Sequence, residues 1–574
     1  MANLKAVLTR PKVSESYARN AFDRSFSPKV HYQLGALQPF FAEPVIAGSH
    51  MKINRSIFQR TAAVNTAAFP KVDTHCEFFY VPLRLLWSYW NNFKLNIQDY
   101  NSTYMGSVNS SGTFIPNAPS TVPQFNLVGV QQDIVSWMSG MSFTAQYLTQ
   151  GLSQAVGANR LLDAFGYGFC KTGWTVNPQQ GTLPNFMVNP FKLLAYQKIY
   201  YDHFRNTAYE ANDPSYYNID DATGLTISNE AVAKMLTLRY VNYRKDYFQA
   251  VYPALNYTVS SPNGLNWSIP DSVLANLYGN VASSSVSGST LGYGSTVITQ
   301  AQHVSGGSTN IYGSVQQIRA AFALDKLLRA SAYAPKHVKD QFEARYGIKG
   351  VESGNESVRI GAFMNDIVFQ EVTNMADTSN NLGEIGGKGV GYQGFGKDIE
   401  FTAKEDGLVI GLIYSLPRSS YDSDCIRQWN TKNNREDFFI PEYMDLGMQP
   451  LPWFELRWRW DTLTNINNLI GYKPRYSEYK VGIDVNHGLF NNGQMLSDFV
   501  THSQSKYLSQ YGQGGNGVSY AYFKVSPNDL DSVFVQTTNI SDLTTDKFFT
   551  YLDVKFIVNQ NMSVHGQPRN GGLG

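Results

Sequence analysis

The chain has 574 residues, with 46 basic and 45 acidic side chains, 36 Tyr, 34 Phe, 9 Trp and three cysteines. A charged fraction of 16% beside a hydrophobic fraction of 43%, against a usual charged fraction of about 25%, excludes a disordered chain and leaves ample material for a core. A net charge of +1 excludes a surface built throughout to neutralise phosphate, and 47 Gly and 24 Pro without a three-residue period exclude a collagen-like chain.

The N-terminus MANLKAVLTRPKV lacks an apolar h-region, and no stretch approaches the ~18 apolar residues of a membrane helix. Neither export nor membrane insertion is expected. Cys76, Cys170 and Cys425 are far apart and contain no CxxC pair, so neither a disulfide framework nor a zinc ribbon is encoded. Residues 1–30 carry Lys5, Arg10, Lys12, Arg19, Arg24 and Lys29 against Glu15 and Asp23, a local balance of +4. This segment reads either as a solvated arm or as an arm lying on a polyanion. From residue 31 short apolar runs punctuated by Pro and Gly, such as 36–48 and 76–87, read as strands broken by turns.

Asn101 to Gln124 forms a weak polar excursion. A helix is predicted to be capped by Asn189 and begun by Pro190, with Phe191, Leu194, Ala195 and Ile199 as its stripe through Phe204. Between Asn256 and Gly313 Ser, Gly, Thr and Asn dominate and Asp271 is the only Asp, Glu, Lys or Arg in 58 positions. That composition predicts a surface excursion with short exposed strands. Further helices are expected from Val315, Ile318 and Phe322, and from Val338, Phe342 and Tyr346 up to Gly347. Residues 408–416 are apolar on both faces, as in a strand buried between layers. In 453–460 Phe454, Leu456, Trp458 and Trp460 alternate with Glu455, Arg457 and Arg459, which predicts a strand, and 553–558 alternates again. Strands early, late and in between point to an all-β core interrupted by packing helices.

Chemistry is hard to find. Gly389, Gly391 and Gly394 spell G-x-G-x-x-G, but the flanking text reads as a glycine-rich loop leading into a strand, without the strand and helix that a dinucleotide needs. No histidine pair has metal spacing and no G-x-S-x-G elbow occurs. Cys170, beside Lys171, reads as a small core residue. No catalytic, cofactor or metal residues are assigned, and no enzyme is expected. Many aromatics with few charges suit large contact surfaces, carbohydrate platforms or stacking of unpaired bases.

Three strings carry a resemblance: Lys245 to Pro253 (KDYFQAVYP), Arg435 to Pro441 followed by Leu446-Gly447, and Gly471 to Lys480 (GYKPRYSEYK). With 34–48, 52–60, 74–87, 191–205, 316–331 and 551–568 in the same order, the chain resembles the major capsid proteins of the Microviridae, small tailless single-stranded DNA bacteriophages, particularly the gokushovirus-like members. Met448 stands where Glu is common, Pro474 interrupts its motif and the tail lacks an Arg-Pro-Met-Pro run, which marks a divergent lineage. The resemblance implies a mainly β fold, an eight-stranded viral jelly roll (antiparallel β-sandwich) with long inserted loops and a few helices. On that reading 1–30 is a basic arm and 31–574 a single capsid domain, with 101–124 a loop and 256–313 a surface protrusion. It also implies self-assembly through pentamers into an icosahedral T=1 shell, found in the virion and assembled in the bacterial cytoplasm.

Implied partners are packaged single-stranded DNA, a small basic DNA-binding protein, internal scaffolding and pilot proteins, and a host cell-surface receptor. A net charge of +1 per subunit leaves the shell far short of neutralising a genome with one negative charge per nucleotide, so the basic protein or cations must supply the rest. Arg10, Lys12, Arg19 and Arg24 are the candidate DNA contacts. Trp267, Tyr278, Tyr293 and Tyr312 are the candidate host contacts, where the lack of charge favours neutral glycans or protein. The alternative reading is a carbohydrate-binding β-sandwich module.

Overall fold

A computed structural model describes residues 19–64, 69–95, 106–108, 114–116, 121–140, 145–171, 185–220, 226–253, 326, 338–347, 354–373, 385–456, 468–500, 517–562 and 564. Its principal strands are β1 (Arg19–Asp23), β2 (Lys29–Tyr32), β3 (Gln38–Val45), β4 (His50–Val64), β5 (Val72–Pro82), β6 (Val358–Thr373), β7 (Ile385–Gln393), β8 (Ile399–Thr402), β9 (Gly407–Pro417), β10 (Met448–Pro452), β11 (Leu469–Pro474) and β12 (Phe548–Asn561). Among the described residues ten of these form one antiparallel sheet along the path β1-β12-β4-β7-β6-β5-β9-β3, with β2 on β12 and β8 on β4. β10 and β11 pair separately.

Each long strand obeys its own sequence pattern. β12 alternates buried and exposed residues almost throughout, the mark of a sheet with one face in the core. β9 is buried at nearly every position, as its unbroken apolar run predicts. Its second face is covered by the helical segment ending at Phe204, whose ring meets Tyr414 of β9 at 5.5 Å and Phe79 of β5 at 5.7 Å.

The twisted sheet curls until its two ends meet. Phe41 of β3 packs edge-on against Phe556 of β12 at 4.9 Å and stacks on Phe26 at 5.4 Å. Arg24 closes the same seam through an ion pair with Glu43 and a 3.0 Å hydrogen bond to the Pro44 carbonyl. Inside, Gln59 Nε2 donates to Tyr32 Oη (2.7 Å), Thr74 Oγ1 donates to Gln59 Oε1 (2.8 Å), and Ser415 Oγ lies 2.9 Å from Tyr32 Oη and 2.8 Å from Thr74 Oγ1. All four side chains are buried, so this closed network ties β2, β4, β5 and β9 together across the core. The result is a curled antiparallel β-sandwich of jelly-roll type.

Helices α1 (Trp90–Leu95), α2 (Leu127–Met138), α3 (Leu152–Phe165), α4 (Phe191–Ile199), α5 (Asn229–Met235) and α6 (Val338–Tyr346) interrupt the strands. Arg160 on α3 grips the carboxylate of Asp546, just before β12, with bonds of 2.7 and 2.6 Å. α6 stops at Gly347, whose φ of +67° suits a glycine terminator. α4 occurs where expected and runs into a π turn at Tyr200–Phe204, but Pro190 takes the cap position without a side-chain cap bond. The Asn189 carbonyl instead accepts from Tyr167 Oη at 2.7 Å. The helix expected from Val315 lies outside the described residues, as does most of the 101–124 excursion.

Two expectations need correction. Trp453–Glu455 is a single 3-10 turn, not the start of a strand, and 457–460 lie outside the described residues. The turn buries Trp453, Glu455 and Leu456 together; a strand would have sent Glu455 to the face opposite its aromatic neighbours, away from the buried partner described below. The glycine run at 389–394 begins within strand β7, not in a loop. A Cβ on Gly389 would meet Thr61 Cγ2 at 2.7 Å and Ile367 Cγ2 at 2.8 Å, so these glycines admit side chains of β4 and β6 instead of cradling a phosphate. Gly389→Ala is expected to lower stability by about 1–3 kcal/mol through overpacking, read as a shift of the urea midpoint with an unchanged slope.

Candidate assembly surface

The strings 245–253, 435–447 and 471–480, separated by up to two hundred residues, converge on a second and smaller core beside the main one. Tyr252 and Tyr472 exchange two backbone hydrogen bonds of 2.8 Å, which lays the 245–253 segment against β11. Gly471 is required there, since a Cβ would stand 2.6 Å from the Tyr252 carbonyl oxygen and 2.4 Å from Val251 Cγ1. Phe248, Tyr421, Leu451, Trp453, Ile470 and Tyr522 fill the centre.

Two buried ion pairs set the geometry of this unit. Lys473 Nζ lies 3.2 Å from Glu455 Oε2, with both side chains 2% exposed. The Tyr247 hydroxyl sits between them, donating to Glu455 and accepting from Lys473. Burial pushes the Lys473 ammonium down to about 8 and raises the Glu455 carboxyl. The second pair joins Lys432 to Glu478, and Gln449 Nε2 donates to the same carboxylate at 2.7 Å. Burial opposes the Glu478 charge, yet the hydrogen bonds from Lys432 and Gln449 hold its pKa below the usual value. Tyr476 follows with a left-handed φ of +62°, its N–H on Gln449 Oε1 at 2.8 Å and its hydroxyl on the Phe438 carbonyl at 3.1 Å.

Above this base rises an aromatic rim. Trp429 is 53% and Tyr479 50% exposed, and Phe438, Phe439, Met444 and Val481 are exposed beside them. Trp429 Nε1 donates to Tyr479 Oη at 3.2 Å and its ring meets Phe438 at 6.2 Å; Phe439 packs on Tyr476 at 5.2 Å. Lys432 lies 4.9 Å from the Tyr479 ring centroid while paired with Glu478. Exposed aromatics held rigid over internally neutralised charge are the chemistry of a protein contact, where Trp, Tyr and Arg anchors dominate. Sealed from solvent, Lys473 and Glu455 tie β11 to the turn at Trp453–Glu455.

Of the residues expected to touch DNA, Arg19 donates to the Gly48 carbonyl and Arg24 is held by Glu43. Both pin the N-terminal strand to the rim of the sandwich, and β1 and β2 pair with β12. Arg10 and Lys12 lie outside the described residues, as do Trp267, Tyr278, Tyr293 and Tyr312. Cys76 and Cys170 are buried, their thiols pushed up to about 11 by burial. Among the described residues no group of His, Cys, Asp or Glu is placed to hold a metal ion, and no helix is long and apolar enough to cross a membrane. Phe438, Phe439 and Tyr479 were legible only as parts of recurring strings, and Trp429 was not singled out at all; nothing in their spacing marks them as one surface.

Removing one partner of the buried pair exposes its worth. Lys473→Met leaves Glu455 buried without a counter-charge and is expected to cost about 3–5 kcal/mol, whereas Lys473→Met with Glu455→Leu recovers most of that loss. Chemical denaturation of the two variants beside the parent measures both effects.

The family model described as "Capsid protein (F protein)" matches residues 12–135 and 171–568. The chain is 22% identical over 556 residues to Capsid protein VP1 of Chlamydia phage 1, covering 83% of this chain and 84% of that protein. It is 21% identical over 575 residues to Capsid protein VP1 of Bdellovibrio phage phiMH2K, covering 94% of each. With a match that spans both the curled sheet and the aromatic rim, the chain belongs to the capsid protein (F protein) family.

Proposed function

We propose that this chain is the major capsid protein of a small tailless single-stranded DNA bacteriophage of the Microviridae and assembles through pentamers into a closed T=1 shell. The observation that carries the reading is the family match over nearly the whole chain, and the rim of Trp429, Phe438, Phe439 and Tyr479 supplies a surface suited to subunit contact. Lys432 beneath it is paired with Glu478 within the subunit, so a neighbour covering these rings does not have to desolvate that ammonium alone. The role is structural, and no reaction is assigned.

In this reading the 256–313 insertion, with Trp267, Tyr278, Tyr293 and Tyr312, faces outward and contributes to host attachment. The genome's charge is balanced chiefly by a small basic protein and cations, and internal scaffolding and pilot proteins take part in assembly in the host cytoplasm. Arg10, Lys12, Arg19 and Arg24 remain the arm's candidate contacts to DNA, with Arg19 and Arg24 already engaged by the sandwich rim.

Sedimentation velocity with negative-stain imaging of protein from co-expressing cells tests the reading, with pentamers or round shells as the expected outcome. Trp429→Ala with Tyr479→Ala should weaken association by about 30-fold or more, as loss of a central aromatic anchor does, while the melting temperature of the subunit stays within a few degrees of the parent. A parent protein that remains monomeric beside its co-expressed phage proteins overturns the reading.

A further inference from the structure

The outward face of the curled sheet carries a second pattern, visible only in the strand register. Lys29 of β2 stands opposite Tyr551 of β12, Tyr551 opposite Phe58 of β4, and Phe58 opposite Tyr392 of β7. The adjoining row runs His31, Phe549, Arg60, Val390. Tyr392 is 71% exposed, and Tyr551 and Phe549 are exposed as well. Neighbouring strands lie ~4.8 Å apart, so Tyr551, Phe58 and Tyr392 form an aromatic line ~10 Å long.

Cations are interleaved with these rings. Arg60 lies 5.0 Å from the Phe58 centroid and Lys555 lies 4.2 Å from that of exposed Phe395. Lys29 and Lys388 are exposed at the patch margins. Among the described residues none of these four cations has a carboxylate partner, in contrast with Lys432 and Lys473 under the rim. Two acids border the patch: Asp553 accepts a 2.9 Å hydrogen bond from Ser27 Oγ, and Asp398 accepts a 2.5 Å hydrogen bond from Asn54, the residue opposite Lys555. Glu400, further along the sheet, is taken by Lys52 at 2.7 Å.

We propose that this face binds single-stranded nucleic acid, its bases stacking on Tyr551, Phe58 and Tyr392 and its phosphates meeting Arg60, Lys29, Lys388 and Lys555. Charge decides between this occupant and a second copy of the chain. A protein neighbour would have to bring carboxylates to four unpaired cations, whereas a polynucleotide supplies one phosphate per base beside the very faces that stack. An open sheet with two or three aromatics in register is also a known platform for unpaired bases. The inference rests on the capsid reading for the identity of the strand, the packaged single-stranded DNA, and it moves the principal contact from the N-terminal arm to the sheet.

The test uses the purified full chain before shell closure and a fluorescein-labelled dT 20-mer, followed by anisotropy between about 50 and 200 mM salt. Tyr551→Ala with Tyr392→Ala should weaken binding by about tenfold or more, and Tyr551→Phe with Tyr392→Phe should retain it, because stacking needs the ring and not the hydroxyl. Arg60→Gln with Lys555→Gln should flatten the slope of log affinity against log salt by about 1.4. A duplex of equal length should bind more weakly, since its base faces are occupied. Thermal unfolding of each variant confirms the fold. Three results overturn the proposal: no binding of the dT 20-mer by the parent chain, unchanged affinity in the double alanine variant, or loss of shell assembly in that variant with dT affinity intact, which assigns the face to a second copy. Parent protein that forms shells while the variants bind normally defeats this inference alone; parent protein that never assembles defeats the capsid reading.

Discussion

Phe41 meets Phe556 because the right-twisting sheet curls and brings β3, at one end of its path, against β12, next to the other end. That closure governs the remaining architecture. It seals Tyr32, Gln59, Thr74 and Ser415 in an interior where each polar atom must find a partner, and the four satisfy one another. It also leaves the opposite face of β12, β4 and β7 open, because a curled sheet has one concave side to fill and one convex side to present. Arg24, at the seam, is held there by Glu43 and the Pro44 carbonyl.

Charge is handled in two contrasting ways on the two sides of the molecule. Beside the second core, lysines and glutamates are buried in pairs, where desolvation opposes ionisation and only close partners keep the charges. Such pairs hold their surroundings in one geometry, so the rings of Trp429, Tyr479 and Phe439 stand on a stiff base. On the sheet face Lys29, Arg60, Lys388 and Lys555 have no carboxylate partner among the described residues, and Arg60 and Lys555 lie over the rings of Phe58 and Phe395.

The glycines of β7 connect these features to the fold. Gly389 and Gly391 lie in an inner strand where side chains of β4 and β6 already fill the space a Cβ would need. Their close approach lets β7 bridge β4 and β6, which carries Tyr392 into line with Phe58 and Tyr551. A run that by spelling resembles a nucleotide cradle is thus a packing device in a strand.

Much of this was legible in the sequence because it depends on local periodicity or on composition. The alternation of β12, the doubly apolar β9, the helix from Phe191 and the stop at Gly347 each follow from spacings within one segment, and the recurring strings pointed to the family. The turn at Trp453–Glu455 was not legible, since Glu455 faces inward for the sake of Lys473 and Tyr247, partners 18 and 208 residues away. The same holds for the Tyr551–Phe58–Tyr392 line, whose members lie hundreds of residues apart and are aligned only by strand register. Sequence by itself determined strands such as β9 and β12, whose pattern is local, and that many aromatics had to serve surfaces, because hydrophobic period and residue type act within a few residues. Tertiary structure alone decided which aromatics share a surface and which charges go unpaired there, because both depend on pairing between distant strands.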